Sequence, residues 1–438
     1  MENLFCIPAS IQKISVHGAI ATLSAVLSLL APITVPLGQA ALQDSPKAVL
    51  DEAWQLVNRE YVDATFNQND WQEIRQDLLG QEYSSLDDAY VALEEALNLL
   101  DDPYTRFMTP SEFNELTSHT SGEFSGVGLR LKVDNTTQNL IVVDPLENSP
   151  AANAGLQSGD VILAIGDQPT EGMTVQDAAH LIRGESGTAV TLRVSRGTSP
   201  EFDVSLIRER LEIPAVFSSL RTEFDTKIGF IRLTEFSAHS AEQMQHVVLE
   251  LLDQGAEAFV LDLRGNPGGL LQASIDISRL WMSDGSIVQT LDRDGHSEEV
   301  AADHTALTDK PLAVLVDGNS ASSSEILTGA LMDNHRATVI GSQTFGKALV
   351  QAVHGLSDGS GIAVTVAQYY TPNGTDISQQ GIVPDIEIDL TIDQRRRLVA
   401  QPDMRGTLAD PHYQQAVSSL RPSILVRRSD LDLGSTLR

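Results

Sequence analysis

Hydrophobic and polar positions along the chain change period twice, and each change marks a region. From Ser45 to about Ser118 apolar residues recur at helical spacing, first Val49, Ala53, Leu56 and Val57, then Ala89, Leu93, Ala96, Leu97 and Leu100. Ser45 before Pro46 and Ser85 before the second run are suitable N-caps, and Asp101-Asp102-Pro103 ends that run. The pattern predicts a helical N-terminal region. Between Ser121 and Gly197 the period becomes that of short strands, at 127–133, 140–143, 160–165 and 190–194, with helical pieces at 150–154 and 175–182. From Lys227 to about Ile388 apolar strand runs alternate with helical runs: strands at 228–233, 258–263, 312–316 and 337–340, helices at 241–252, 270–280 and 322–332. That alternation predicts an α/β core with largely buried strands. Ligands in such sheets gather at the carboxyl ends of strands, where three loops rich in Gly, Ser and Asn stand, at 264–269, 318–324 and 341–347.

The first 40 residues read differently. No charged residue occurs from Ile14 to Gln43, and the apolar stretch Ala19 to Leu30 is shorter than the ~20 residues a spanning helix needs. Small residues Gly38 and Ala40 suit a cut after Ala40, so residues 1–40 are expected to be an export signal. Glu2 and Lys13 cancel where such signals usually carry positive charge, and the alternative is an uncleaved anchor. The one cysteine, Cys6, lies in this leader, so neither a disulfide framework nor a cysteine metal site is expected in the body. The 29 Lys and Arg against 60 Asp and Glu give a net charge of −31, which argues against nucleic acid and anionic lipid headgroups as partners. The segment 391–438 is the exception, with eight arginines against five aspartates.

Three motifs could carry chemistry. Gly341-Ser342-Gln343-Thr344-Phe345-Gly346-Lys347 has phosphate-loop spacing, but Ala348 stands where Ser or Thr must hold magnesium, and 349–353 does not read as a helix. Gly355-Leu356-Ser357-Asp358-Gly359 has nucleophile-elbow spacing yet lies between two strand-like runs, so it reads as a hairpin turn. The third, Asp317 to Ile326, leads from a strand into a helix. There Ser322 and Glu325 form a capping-box pattern, which any helix can use. A serine in a first helical turn also has the next backbone amide and the positive end of the helix dipole beside it, which suits an oxyanion formed in acyl transfer. No histidine of the core, among His304, His335 and His354, has an evident partner for it. Lys347 ends a glycine-flanked loop after the strand that follows the serine's helix. A lysine with the ordinary pKa of ~10.4 is neutral in about one molecule in 2,500 at pH 7, so such a base must be desolvated. Phe345, Ala348, Leu349 and Val350 are expected to supply the apolar wall.

Two resemblances rest on these residues. Ser125-Gly126-Val127-Gly128-Leu129, then Ser149 to Leu156 and Gly159-Asp160-Val161-Ile162, resemble a bacterial-type PDZ domain. A glycine-rich turn before an edge strand can hold a peptide's terminal carboxylate while the peptide extends the sheet. The whole stretch from about 45 to 390 resembles the carboxyl-terminal processing, or tail-specific, proteases. The matching segments are Leu100 to Tyr104, Ile228 to Leu233, Asp262 to Gly269, Ser320 to Ile326, Thr344 to Lys347, Gln351, Tyr370 to Gly374 and Gly381 to Asp385.

The resemblance implies a serine endopeptidase that binds the C-terminal tail of an exported protein through its PDZ domain and cleaves nearby. Ser322 corresponds to the nucleophile, Lys347 to the general base and Gln351 to the residue that orients the lysine. The amides of Gly268 and Ser323 correspond to the oxyanion hole, and Gly126, Val127, Gly128 and Leu129 to the peptide-binding turn. Ser323 stands where the family usually has alanine, and Ala348 where it has glycine. In a regular strand Lys347 and Gln351 would be about 13 Å apart, four steps of ~3.3 Å, so their contact requires a turn. Asp333 matches an acidic position expected to be structural.

The implied fold is an α/β core resembling the crotonase-like (ClpP/crotonase) fold, with an inserted PDZ domain and an N-terminal helical region. The expected division is 1–40 signal, 41–119 helical region, 120–205 PDZ domain, 206–390 protease core and 391–438 C-terminal extension. No cofactor or metal is expected, and the partner is a protein with an exposed apolar C-terminus. The expected location is the periplasm or thylakoid lumen, with peripheral membrane association left open. Family relatives in photosynthetic membranes mature a photosystem II reaction-centre precursor, and others trim periplasmic or cell-wall proteins. The alternatives are an inactive PDZ scaffold that only binds tails and, because the core fold is shared, an acyl-thioester enzyme.

Overall fold

A computed structural model describes residues 45–134 and 136–436, so the expected signal lies outside the described residues. The N-terminal helices begin where the sequence supplies caps. Helix α1 (Pro46–Glu60) starts at Ser45, α2 (Trp71–Gly80) at Asp70, whose Oδ1 accepts the amides of Gln72 and Glu73 at 3.0 Å, and α3 (Leu86–Asn98) at Ser85. The apolar period predicts α1 and α3 but not α2, which buries only Trp71 and Leu78. The three pack through Leu50, Trp54, Val57, Trp71 and Leu93. Strand β1 (Arg106–Met108) and helix α4 (Pro110–Ser121), opened by a Thr109–Glu112 capping box, complete the region.

The chain then enters a small β-rich module. Its elements are β2 (Glu123–Gly126), β3 (Leu129–Val133), β4 (Leu140–Pro145), α5 (Pro150–Asn153), β5 (Val161–Ile165), β6 (Gln168–Pro169), α6 (Val175–Ile182), β7 (Ala189–Ser195), β8 (Phe202–Ile207) and β9 (Glu209–Glu212). An antiparallel sheet runs β3-β4-β5-β7-β8, with β6 beside β5. Strands β2 and β9 pair with each other, Glu123 opposite Glu212, and so join the module's two ends. The strand expected from Val127 starts two residues later. Val127 is turned fully into the core, and Gly128 has φ +75°, where a Cβ would lie 2.3 Å from that of Ser149.

The core follows as β10 (Val216–Glu223), β11 (Thr226–Leu233), α7 (Ser240–Asp253), β12 (Ala258–Asp262), α8 (Leu271–Trp281), β13 (Ser286–Asp292), β14 (Ser297–Ala301), β15 (Leu312–Val316), α9 (Ser323–Asp333), β16 (Thr338–Gly341), β17 (Leu349–Gly355), β18 (Gly361–Tyr370) and β19 (Ile386–Glu387). One sheet has the order β10-β11-β12-β15-β16-β19, parallel except for β10. Every residue of β12 and β15 is buried, as their unbroken apolar runs require. Helices α7, α8 and α9 cover one face through residues such as Val248, Ile277 and Leu327. The second sheet has the order β1-β18-β13-β14, with β17 also on β18, so it ties the N-terminal region to the core. The turn at 357–359 joins β17 and β18 as the expected hairpin.

The segment drawn from sequence as a C-terminal extension is a layer of this core. After α10 (Ile392–Ala400) and a 3₁₀ turn (Pro402–Met404), helix α11 (Pro411–Thr436) covers the other face of the parallel sheet. Tyr413, Ala416, Val417, Leu420 and Ile424 pack against Ile228, Phe230, Val260, Leu315 and Ile340. Its arginines also find partners in the acidic body: Arg427 pairs with Asp309 at 3.0 Å and Arg428 with Glu257 at 2.7 Å. No helix among the described residues is long and apolar enough to cross a membrane.

Candidate active site

Ser322 sits between β15 and α9 as the N-cap, one residue before the helix rather than within its first turn. Its φ of +55° with ψ −116° is a conformation that a residue with a Cβ adopts at a cost of about 1–3 kcal/mol. Neighbouring hydrogen bonds impose it. The Ser322 amide donates to Glu325 Oε2 at 2.9 Å, and its carbonyl accepts from the Tyr369 hydroxyl at 3.2 Å. On either side, Ala321 N and Ser324 Oγ both donate to the Asn266 carbonyl, at 3.1 and 3.0 Å, and Ser323 Oγ donates to the Gly269 carbonyl at 2.9 Å.

Glu325 does more than the sequence shows. Fully buried, it also accepts from Thr344 Oγ1 at 2.5 Å, Gly346 N at 2.7 Å and Lys347 N at 2.9 Å. One carboxylate therefore fastens the backbone of Ser322 to the backbone of Lys347. Its capping-box position was legible, but nothing in the spacing points to the loop 19–22 residues further on as its second partner.

Lys347 lies where the chain leaves β16 and the parallel sheet for β17 in the other. Gly346 before it has φ +91° and approaches the Gly381 backbone so closely that a Cβ would come within 2.7 Å of that amide nitrogen. The Lys347 ammonium stands 4.6 Å from the ring centroid of Tyr104. Burial pushes its pKa below the ordinary lysine value; Asp102 opposes this, Arg106 adds to it, and Glu325 opposes it. The desolvating wall differs from the expected one. Phe345 is 53% exposed, and Ala348 is packed into the core, whereas Tyr104 joins Leu349 and Val350 around the cavity. Tyr104 arrives from the loop after α3, a long-range contact that local sequence around Lys347 does not show.

Ser322, Ser323, Lys347 and Gln351 all line one cavity of about 220 Å³, with Leu116, Leu271 and Ile326 among its apolar walls. No hydrogen bond joins Ser322 Oγ to Lys347 Nζ, which is common before substrate is bound. Gln351 reaches the cavity through an irregularity: the β17–β18 register slips between Val350 and Gln351, a bulge of the kind that re-aims side chains. Its Nε2 is buried with no hydrogen-bond partner.

Gly268 and Ser323, whose amides are expected to form an oxyanion hole, lie beside the serine. Gly268 has φ +101°, and a Cβ there would lie 2.9 Å from Ser322 Cβ and 3.0 Å from Ser323 N, so only glycine allows the approach. The Gly268 amide already donates to Asn266 Oδ1 at 2.9 Å, while Asn266 Nδ2 donates to the Leu233 carbonyl at 3.0 Å. Asp333 lies outside the cavity and accepts from the Asn373 amide at 2.9 Å. Gly126 to Leu129 also stand outside it, in the β-rich module, where the carbonyls of Val127 and Gly128 accept from Ala151 N at 2.9 Å and Leu146 N at 2.8 Å.

A hydroxyl on a strained cap, a desolvated amine and the backbone amide that opens the helix beside the serine are parts that acyl transfer requires. The comparisons with known proteins agree. A profile of Peptidase family S41 matches residues 227–388, and one of the PDZ domain matches 141–196. The carboxyl-terminal-processing protease of Synechocystis sp. is 41% identical over 388 residues, 88% of this chain and 89% of that one. The chloroplastic carboxyl-terminal-processing peptidase 2 of Arabidopsis thaliana is 40% identical, covering 76% of this chain and 67% of its own. Among solved structures, the photosystem II D1 C-terminal processing protease is similar with a TM-score of 0.52 and 35% identity, over 79% of this chain and 93% of that one. The chain belongs to the carboxyl-terminal-processing proteases, serine peptidases of family S41 that carry a PDZ domain.

Proposed function

We propose that Ser322 and Lys347 form the catalytic dyad of this protease, acting on the C-terminal tail of an exported protein. The observation that carries the reading is the meeting of a serine held at positive φ and a lysine deprived of water in one cavity, their backbones fastened by the same buried carboxylate. Neutral Lys347 takes the hydroxyl proton as Ser322 Oγ bonds to the scissile carbonyl carbon. The oxyanion turns toward the amides of Ser323 and Gly268, the latter exchanging or sharing its bond to Asn266. The C–N bond then breaks and the lysine ammonium gives its proton to the leaving amine. Water attacks the acyl ester with Lys347 again as base, and the proton returns to Ser322.

Gln351 orients the lysine by turning its amide oxygen to Nζ once the cavity is filled. Gly126 to Leu129 hold the tail's carboxylate, and the apolar cavity walls favour a tail of apolar residues. The boundaries at 120–205 and 206–390, the resemblance of the core to the crotonase-like fold, and export to a periplasm or thylakoid lumen belong to the same reading. The D1 tail handled by the solved relative makes a D1 C-terminal peptide the natural first substrate. Ser322→Ala should reduce cleavage of that peptide, followed by mass spectrometry, to background while leaving its binding to the PDZ domain intact. Cleavage at the wild-type rate by Ser322→Ala would remove the dyad from the mechanism.

A further inference from the structure

The carboxyl end of β12 carries a buried charged cluster that the dyad does not use. Arg264 is 5% exposed and lies two residues before Asn266 and four before Gly268. Its guanidinium has five N–H groups, and each finds an acceptor. Nε and Nη2 fork onto the two oxygens of Asp262, both at 2.7 Å. Nη1 and Nη2 fork onto the two oxygens of Asp410, at 3.0 and 2.7 Å. The fifth N–H, on Nη1, meets His412 Nδ1 at 3.2 Å. Because an arginine nitrogen can only donate, His412 Nδ1 must accept, which places its proton on Nε2, 3.0 Å from the Ile388 carbonyl. Asp262 and Asp410 are both fully buried.

Asp262 belongs to the sheet, but Asp410 and His412 come from the segment that opens α11, about 146 positions away in sequence. We propose that Asp410 and His412 are positioning residues for the oxyanion loop. They complete the coordination of Arg264 from the side opposite Asp262, and a guanidinium held at both forks fixes the path of the chain from β12 into Gly265-Asn266-Pro267-Gly268. The next residues prolong the fixation: Gly265 N donates to Asp317 Oδ1 at 2.9 Å, and Asn266 bonds β11, Ala321 in the loop before α9 and Ser324 in α9 itself. With Asp410 removed, two buried N–H groups lose their acceptor and the arginine is free to turn. The displacement is then delivered to the amide of Gly268 beside Ser322. The C-terminal layer is thereby part of the catalytic platform and not an appendage.

This inference rests on the dyad reading, and the test separates the two. Asp410→Asn in the full chain, assayed with the D1 tail peptide, should lower kcat at least tenfold while KM stays within about twofold. The oxyanion amides act on the transition state, whereas tail binding does not involve them. Covalent titration of Ser322 with a fluorophosphonate counts the folded sites, and kcat is expressed per titrated site. His412 supplies the second pair. His412→Asn keeps an acceptor near Nδ1 and should retain most of kcat, while His412→Leu should lose several-fold. An unchanged kcat per titrated site in Asp410→Asn overturns the proposal, as does a rise in KM that accounts for the whole loss. If Asp410→Asn does not fold, equal kcat in His412→Asn and His412→Leu overturns it. Loss of all activity in Ser322→Ala alongside normal Asp410→Asn would leave the dyad intact and this inference broken.

Discussion

Ser322 and Lys347 reach one cavity from surroundings that hold them in different ways. The serine side is fixed by polar bonds among buried groups: Glu325, Asn266 and the two hydroxyls Ser323 and Ser324 all bond backbone atoms of the loops beside it. The lysine's amino group has no such set. It is held by burial and by the face of Tyr104, and Gln351, which lines the same cavity, leaves its Nε2 unpartnered. The contrast follows from what each group does in the proposed dyad. An oxyanion site works by having its donors in place beforehand, since reorganising them during reaction would cost the stabilisation they provide. A lysine base works by being neutral, and every strong acceptor placed beside it would favour the charged form.

Breaking the serine side should therefore have the largest effect, and Glu325 is where to break it. Glu325→Gln places an NH2 among four groups that all donate, the amides of Ser322, Gly346 and Lys347 and the hydroxyl of Thr344. Each buried donor left without an acceptor costs about 1–3 kcal/mol, and a misplacement of 1 Å at a reacting group costs on the order of 100-fold in rate. The variant should lose roughly 100-fold in kcat and several kcal/mol in stability, read by peptide cleavage and urea unfolding. A kcat within threefold of wild type would show that the polar frame is not what places Ser322.

How much of this was legible in sequence follows from the same contrast. The elements that pack by period were readable: the wholly buried strands β12 and β15, helix α9, and the hairpin at 357–359 follow from apolar runs, caps and glycine. Ser322 and Lys347 were readable as candidates because each stands in a loop of Gly, Ser or Asn after a strand, and the family resemblance paired them. What spacing could not show were the long-range contacts that define the site. Tyr104 reaches Lys347 from the N-terminal helices, Asp410 reaches Arg264 from α11, and Glu325 reaches two loops at once. The expected wall of Phe345 and Ala348 failed for a local reason. The tight glycine turn at Gly346 sends Phe345 outward and Ala348 into the core. The bulge at Val350/Gln351, which decides where Gln351 points, depends on the partner strand and so has no local signature.

A second test sharpens the account of the lysine side. Arg106 lines the cavity, and its charge adds to burial in lowering the Lys347 pKa. In the proposed dyad Lys347 acts when neutral, so kcat/KM should rise with pH along a limb whose midpoint lies below the ordinary lysine value. Arg106→Gln removes a like charge, makes protonated Lys347 easier to hold, and moves that limb to higher pH. At a fixed pH on the limb the rate falls severalfold, and raising the pH restores it. A parallel loss at every pH would assign Arg106 to substrate contact instead of to the lysine's charge.

The smallest effect expected is also the one that bears most directly on the contrast. Gln351 leaves a buried amide nitrogen without a partner, a cost of roughly 1–3 kcal/mol that a packing residue would not carry. Gln351→Leu removes that amide at similar volume. It should raise the unfolding free energy read from urea titration slightly, by about 1 kcal/mol or less after the altered packing is counted, and lower kcat several-fold because nothing then steers the lysine amine. A variant that gains stability and loses rate places Gln351 among groups kept for the reaction at the expense of the fold. A variant less stable and equally active would instead make Gln351 a packing residue. The lysine side would then depend on desolvation alone, and the difference between the two sides of the cavity would be wider than drawn above.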